Sequence, residues 1–222
     1  MTSLRGVFDP EKLKKDLHVL SKLNFPNIVR LFGVCLNSPK YGLVMEWMPR
    51  GSLGEILQSS QSLDWDLRYR LAEQIAAGLE YLHKQQPAIL HRDLKSFNVL
   101  IGSNWEAKLC NIRREGGRLP TATSAEEELG ARQEAAASIR WKAPELFAPN
   151  GKYSQGSDLY GLGMIFWELA SRATPFSCQA DPIILMEWIG QGRKETIPTS
   201  CNSRFSSIIS DCWAKIPSNR PT

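Results

Sequence analysis

The feature that most constrains the fold of this chain is the octapeptide HRDLKSFN at residues 91–98. It follows a segment, about 66–83, in which apolar residues recur at helical spacing. It precedes the short apolar run 99–101, which is typical of a strand. The octapeptide is therefore predicted to form a polar loop between a long helix and a short strand.

The rest of the pattern is a small part with strands followed by a mainly helical part. A first helix is predicted from Asp9, its cap, to about Leu23. The further predictions are strands at 28–35 and 41–47 joined by a turn at 37–40, a short helix from Gly51, strands at 99–101 and 107–110, a long loop over about 113–138, a buried helix over 158–171, a helix from 181 to about 190, and a last helix that presents Phe205, Ile208, Ile209, Cys212 and Trp213 on its inner face. This order predicts an α+β fold.

Composition narrows the class of protein. The 222 residues include 27 basic and 23 acidic side chains, and a net charge of +4 indicates neither a nucleic-acid nor a membrane partner. The five cysteines are odd in number and show no CxxC spacing, which argues against a disulfide framework or a zinc site. The longest mostly apolar stretch, 159–169, is too short to span a bilayer, and no signal peptide is visible at the start. We therefore expect a cytoplasmic protein without a membrane span.

Residues 91–98 resemble the catalytic loop of the protein-kinase family. Phosphoryl transfer needs a carboxylate to orient the attacking hydroxyl, a cation near the γ-phosphate and ligands for Mg²⁺. The resemblance implies that Asp93 is the catalytic carboxylate and that Lys95 faces the transferring phosphate. It also implies that Asn98 supplies an oxygen to a metal ion and that Arg92 binds a phosphate of the activation loop. An ordinary solvated loop is a poor explanation for four matched polar positions.

Small-molecule phosphotransferases share a shorter form of this pattern, so other segments must separate the two classes. The segment WKAPE at 141–145 is similar to the end of a kinase activation loop. The resemblance further implies that Asp158 holds the backbone of the catalytic loop and that Arg220 pairs with Glu145. Each has a simpler explanation, since Asp158 can be a helix N-cap and Arg220 a surface charge. Together and in this order, the matches favour a protein kinase over a small-molecule enzyme.

The subgroup and the nucleotide site follow from the same resemblance. Lys95 within the loop favours the Ser/Thr type, and the segments 87–90, 140–142 and 212–213 are most like the tyrosine-kinase-like group of Ser/Thr kinases. The stretch LVMEWM at 43–48 is similar to the hinge that meets the adenine ring of ATP through backbone groups. On this resemblance the cofactor-binding residues are Glu46, Met48 and Leu100, with Met45 as the gatekeeper. Core packing is the competing explanation for Met45 and Leu100.

One departure from the family pattern lies 18 positions after Asp93. The family has Asp-Phe-Gly there, whereas this chain has Asn111, Ile112 and Arg113. The predicted metal ligands are therefore Asn98 and Asn111, both neutral, although Mg²⁺ prefers anionic oxygens. Losing a unit charge at about 4 Å weakens an interaction by on the order of 4 kcal/mol at an effective dielectric of roughly 20. Such a loss corresponds to a rate lower by about a thousandfold if nothing compensates for it.

A second departure lies upstream. Gly6 is the only glycine before Gly33, so this stretch holds no Gly-rich phosphate loop, and Asp16 stands where the family has a helix Glu. We expect a bilobal kinase-like fold with an incomplete small β lobe and a mainly helical large lobe. Residues 1–222 are expected to form one domain, with 1–48 as the remnant of the small lobe and hinge and 49–222 as the large lobe without its last helix.

The sequence leaves more than one function open. The first hypothesis is a Ser/Thr protein kinase that transfers the γ-phosphate of ATP to a protein substrate in signalling, with Mg²⁺ as the metal. The alternative is a pseudokinase, an interaction or scaffold module in which the loop 113–138 serves as a partner surface or switch. A small-molecule phosphotransferase is the third and weakest hypothesis. Candidate phosphorylation sites in the loop are Thr121, Thr123, Ser124 and Ser138.

Overall fold

The fold is α+β, as the sequence predicts, with few strands and mostly helices. A computed structural model of the chain describes residues 18–35, 42–112 and 133–221. Its strands form two antiparallel pairs: β1 (Leu31–Cys35) with β2 (Gly42–Met45), and β3 (Val99–Ile101) with β4 (Ala107–Leu109). The helices with both ends among the described residues are α1 (Leu53–Gln58), α2 (Trp65–His83), α3 (Gln155–Ser171), α4 (Pro182–Gly190) and α5 (Ser203–Cys212). Short 3-10 turns lie at Ser96–Asn98, Ser138–Trp141, Pro144–Phe147 and Pro217–Asn219.

Helix α2 leads into the octapeptide. Asp64 caps its start by accepting a hydrogen bond from the Leu67 N–H at 2.8 Å. Its inner stripe is almost completely buried, as the periodicity predicts, and comprises Leu71, Ile75, Leu79 and Leu82. The stripe packs on β4 and on α3, so the end of α2 is fixed against the centre of the domain.

Helix α3 is the central helix of the domain. Ser154 and Ser157 form a reciprocal capping box at its start, and the helix ends at Arg172, which has a left-handed backbone with φ of 57°. Most residues between 157 and 170 are buried, so the prediction of a helix that is apolar nearly all round is confirmed. Helices α2 and α5 pack against it.

The predicted strand 28–35 is divided in the structure. Only residues from Leu31 onward pair with β2, whereas Ile28 forms a parallel bridge with Leu109 of β4. The Val29 N–H donates to the Leu109 carbonyl at 2.9 Å, and the Leu109 N–H donates to the Asn27 carbonyl at 2.8 Å. The segment therefore changes pairing partner within the run, which joins the first strand pair to the second.

Two other expectations need correction. The long loop was predicted to extend to Ser138, but residues 133–137 are helical and Ser138–Trp141 form a 3-10 turn. This part folds because Ser138, Ile139 and Trp141 are buried. In α5, Ile208 is 39% exposed, since it lies at the edge of the stripe formed by its neighbours.

Some expectations lie partly or wholly outside the described residues. These are the turn at 37–40, most of the loop 113–138 and the first helix, of which only 18–20 are described as helical. In the part of the chain that the structure describes, no helix combines the length and the apolar content needed to cross a lipid bilayer.

Candidate active site

The octapeptide is held in place by a carboxylate of the central helix. Asp158 lies in the first turn of α3 and is 2% exposed. Its two oxygens accept hydrogen bonds from the backbone N–H groups of His91 and Arg92, both at 2.8 Å, and Oδ2 lies 2.9 Å from His83 Nε2. The prediction that Asp158 holds the loop backbone is confirmed. The simpler explanation is wrong, because Ser154 is the N-cap of α3.

The three predicted catalytic residues lie together next to this anchor, and each is at most 6% exposed. The Asn98 side-chain amide donates to the Asp93 backbone carbonyl at 2.6 Å and to Asp93 Oδ2 at 3.0 Å. Lys95 Nζ lies 3.8 Å from the same Asp93 Oδ2. A carboxylate, an ammonium group and an amide therefore converge on one spot, an arrangement that can orient a hydroxyl and neutralise an anion.

His91 contacts this cluster through the backbone of Asp93. It is completely buried, and burial lowers the pKa of its ring despite the attraction of Asp158 and Asp93. The ring is therefore neutral at pH 7, and its Nδ1 accepts a long hydrogen bond of 3.4 Å from the Asp93 N–H.

Lys95 has two closer partners than Asp93. Its Nζ donates to Ser138 Oγ at 2.7 Å and to Glu134 Oε1 at 3.1 Å. Ser138 Oγ in turn donates to the Glu134 backbone carbonyl at 2.8 Å. Ser138, one of the candidate phosphorylation sites, is thus buried and hydrogen-bonded to Lys95, which makes it inaccessible in this conformation. Thr121, Thr123 and Ser124 lie outside the described residues.

The two predicted metal ligands bind each other. Asn111 Nδ2 donates to Asn98 Oδ1 at 2.9 Å. The orientation of the Asn98 amide is set by Asp93, whose carbonyl and carboxylate both accept, so the Asn98 oxygen must face Asn111. Asp93, Asn98 and Asn111 therefore form a chain of hydrogen bonds that engages the Asn98 oxygen.

The hydrogen-bonded pair of Asn98 and Asn111 does not fit the magnesium ion that the resemblance implies. Both ligands are neutral, and Mg²⁺ prefers anionic oxygens in octahedral geometry. Within 18–35, 42–112 and 133–221, no group of three or more His, Cys, Asp or Glu side chains is arranged to hold a metal ion.

The predicted hinge residues offer both polar and apolar groups. The Glu46 N–H donates to the Arg30 carbonyl at 2.9 Å, and the Glu46 carboxylate pairs with Lys108 Nζ at 2.5 Å. Partial burial raises the pKa of Glu46, but the Lys108 hydrogen bond and further donors outweigh it, so the pKa is lowered. Its side chain therefore faces Lys108, and only its backbone remains for a ligand. Among the described residues, the Glu46 carbonyl and the Met48 N–H take part in no hydrogen bond.

Met48 and Leu100 lie side by side in a small apolar cluster. Met48 packs there with Val29 and Cys110, and the partly buried Leu100 covers them. Such a surface, beside unused backbone groups, suits the flat apolar ring of a purine. Met45, the predicted gatekeeper, is 38% exposed.

The pair predicted between the segment WKAPE and the end of the chain is present. Arg220 donates to both oxygens of Glu145, at 2.7 and 2.8 Å, and its side chain is fully buried. Burial raises the pKa of Glu145, but the Arg220 hydrogen bonds outweigh burial and lower it. The segment at 144–147 is thereby tied to the body of the domain.

Sequence reasoning missed two acidic residues of the site. Glu168, in the middle of α3, accepts from Ser96 Oγ at 2.8 Å and from Trp141 Nε1 at 2.7 Å. Complete burial raises the pKa of Glu168 to about 8, against the lowering effect of its two donors. A single acidic residue inside an apolar run was the signal for it. Glu134 gave no such signal, because nothing in its local sequence relates it to Lys95.

Comparison with known proteins agrees with this geometry. Residues 8–222 match the family described as protein tyrosine and serine/threonine kinase. The chain is 32% identical over 211 residues to drkD, a probable serine/threonine-protein kinase of Dictyostelium discoideum, covering 95% of this chain and 16% of that protein. It is 33% identical over 223 residues to the stress-activated protein kinase alpha of the same organism, covering 96% and 34%. It is 31% identical over 221 residues to the receptor-interacting serine/threonine-protein kinase 2 of Bos taurus, covering 94% and 40%.

The chain thus spans well under half the length of each of these relatives. All three are named as kinases of proteins, which agrees with the Glu145–Arg220 pair and speaks against a small-molecule phosphotransferase. The resemblance to the tyrosine-kinase-like group of Ser/Thr kinases is confirmed. With its catalytic loop anchored on Asp158 and its family match over nearly the whole length, the chain belongs to the protein tyrosine and serine/threonine kinase family.

Proposed function

We propose that this domain transfers the γ-phosphate of ATP to Ser or Thr hydroxyls of a protein in signalling. The observation that supports it most is the convergence of Asp93, Lys95 and Asn98 in a buried cluster, with Lys95 Nζ 3.8 Å from Asp93 Oδ2. The two relatives named as serine/threonine-protein kinases support the choice of acceptor. ATP is proposed to lie between this cluster and the hinge, on Met48 and Leu100, with its adenine ring against the Glu46 carbonyl and the Met48 N–H.

The proposed chemistry assigns one task to each residue. Asp93 accepts a hydrogen bond from the acceptor hydroxyl and takes its proton as the new O–P bond forms and the bond to ADP breaks. Lys95 neutralises charge on the transferring phosphate. Asn98 holds Asp93 in place through one hydrogen bond to its carboxylate and one to its backbone carbonyl. The proton on Asp93 then passes to solvent.

A transfer assay with radiolabelled ATP tests this function. Wild type and Asp93→Ala are compared on peptide pools whose only acceptor is Ser, Thr or Tyr. Removing the general base is expected to lower the rate by about a hundredfold or more. Phosphate on Ser and Thr peptides from wild type alone supports the proposal. Equal signals from the two proteins would rule it out.

A second candidate is a pseudokinase that serves as an interaction or scaffold module. It is favoured by Asn111, whose amide occupies the Asn98 oxygen where the family's metal site requires an anionic partner. Asn111→Asp separates the two candidates, because it restores the missing charge and removes the amide that engages the Asn98 oxygen. A large gain in Mg²⁺-dependent transfer over an inactive wild type supports the pseudokinase, whereas a wild type that already turns over ATP at a normal rate excludes it.

The setting of the domain is also a proposal. We infer that residues 1–222 act as one unit, with 1–48 contributing to the small lobe and hinge and 49–222 to the large lobe. A cytoplasmic location, a protein substrate or signalling partner, and no nucleic-acid partner fit the balanced charge of the chain. Fractionation of cells that express a tagged chain tests the location.

A further inference from the structure

The phosphate-facing lysine of the site is already paired with an anion of the same chain. Lys95 Nζ lies 3.1 Å from Glu134 Oε1 and 3.8 Å from Asp93 Oδ2, so the acidic residue of the segment after the loop is its closer carboxylate. The third partner is Ser138 Oγ at 2.7 Å. An ammonium group has three protons, and two of them point at Glu134 and Ser138.

The local backbone explains how both partners reach Lys95. Residues 133–137 are helical and continue into the 3-10 turn Ser138–Trp141. Glu134 and Ser138 are four residues apart, so they lie on the same face of this helical piece. The hydrogen bond from Ser138 Oγ to the Glu134 carbonyl at 2.8 Å fixes their relative position.

The two ends of this helical piece differ in burial. Ile139 and Trp141 are buried in the core, and Trp141 donates to Glu168 at 2.7 Å. The Glu134 side chain is 40% exposed, whereas that of Lys95 is 5% exposed. Moving Glu134 away from Lys95 therefore displaces a partly exposed side chain and leaves the buried contacts of Ile139 and Trp141 in place.

A carboxylate at this position competes with a phosphate for the same ammonium group. Both are anions that accept hydrogen bonds from lysine, and they cannot occupy the same side of Nζ together. A phosphate that approached with Glu134 in place would also meet a like charge in a site of low solvent content.

We propose that Glu134 is an autoinhibitory residue, which occupies the phosphate position at Lys95 and must be displaced before a phosphoryl group can bind there. This proposal rests on the proposed function, because it assigns a regulatory role at the same site. The proposal goes beyond the proposed function because it names the side chain that blocks the phosphate position and the displacement that frees this position.

The test uses Glu134→Gln, which removes the charge and keeps the size of the side chain. Glu73→Gln is the matched control, since Glu73 lies exposed on α2 and the change in net charge is the same. Thermal melting verifies that both variants fold. The first measurement is the rate at which an amine-reactive reagent acylates Lys95, followed by mass spectrometry. The second is the affinity for ATP, measured by titration at low and at high salt.

Glu134→Gln is expected to acylate Lys95 about fivefold faster than wild type and to bind ATP about fivefold more tightly, as for the loss of a partly exposed ion pair. The gain in affinity shrinks at high salt because screening weakens the wild-type contact. Rates and affinities within twofold of wild type overturn the proposal, as does an equal response from Glu73→Gln. If acylation and affinity rise but no variant transfers phosphate above Asp93→Ala, the inhibitory contact stands and the proposed transfer reaction fails.

Discussion

Arg220 and Glu145, 75 residues apart in the chain, form a two-pronged ion pair with N–O distances of 2.7 and 2.8 Å. The Arg220 side chain is fully buried and also donates to the carbonyls of Ala214 and Gly156. The pair therefore joins the segment that follows the site to the end of α5 and to the start of α3.

Arg220→Met is expected to lower the free energy of unfolding by about 3 kcal/mol, because it leaves Glu145 without its partner. Since the pKa of Glu145 is lowered in the folded state, the stability from this pair is present above the unfolded pKa and is lost as pH falls through the folded pKa. Urea unfolding at pH 7 and at pH 4 measures both effects, and the difference between variant and wild type must narrow at pH 4. Arg204→Met, at an exposed position of α5, is the control and should change little.

From Glu168 we expect the free energy of unfolding to change with pH in the opposite direction. Its folded pKa of about 8 lies above the unfolded value, so the folded state holds a proton that the unfolded state releases. Stability is greatest at low pH and falls as pH rises towards 8, by up to about 3 kcal/mol between pH 5.5 and 7.5. Glu168→Gln removes this slope while keeping a neutral amide between Ser96 and Trp141. The free energy of unfolding is measured for both proteins across this pH range. If it changes with pH by the same amount in wild type and variant, the pKa of Glu168 is not raised.

Asp158→Asn tests the anchor of the catalytic loop. An amide offers one acceptor oxygen where the carboxylate serves three donors, so at least one buried N–H loses its partner at a cost of about 1–3 kcal/mol. Amide hydrogen exchange at His91 and Arg92 is expected to accelerate more than exchange in α2. Asp181→Asn, at the N-cap of α4, serves as the comparison, since Asn caps a helix as well as Asp does. Unchanged exchange at residues 91–92 would show that other contacts hold the loop.

Gly78 predicts a steric effect at the contact between α2 and residue 27. A Cβ at this position would lie 2.7 Å from the Asn27 carbonyl oxygen, a backbone atom that also accepts the Leu109 N–H. Gly78→Ala is therefore expected to destabilise the domain by roughly 1–3 kcal/mol despite the better helix propensity of alanine. Gly190→Ala at the end of α4, where a Cβ meets no atom within 4 Å, should be nearly neutral in the same thermal unfolding experiment.

Local sequence determines much of this fold. The start at Asp181 and the apolar stripe of α2 identify helices whose boundaries the structure reproduces within a few residues. The octapeptide likewise places Asp93, Lys95 and Asn98 together, because they are close neighbours on one short loop. The pair of Arg220 and Glu145 is a different case, since only the resemblance to a family predicted it.

Other features depend on segments that meet only after folding. The pairing of Ile28 with Leu109 bridges 81 positions, and no periodicity in either segment encodes it. The contact of Glu134 with Lys95 also forms only after folding. Glu134 lies in a helical segment that was predicted to be a loop because its sequence is rich in Ala and Glu. The hydrogen bond between Asn98 and Asn111 depends on the orientation of the Asn98 amide. Two acceptor oxygens of Asp93 set this orientation, which the sequence does not reveal.

The hydrogen bonds of Asp158 separate the shape of the catalytic loop from its reactivity. All of them end on backbone N–H groups or on His83, and none involves the side chains of Asp93, Lys95 or Asn98. Substitutions of Asp93 or Lys95 therefore leave the bonds of Asp158 intact, whereas a substitution of Asn98 also removes a hydrogen bond to the Asp93 backbone carbonyl. A variant that loses the reactive side chains at 93 and 95 is therefore expected to keep the backbone of residues 91–92 attached to the central helix.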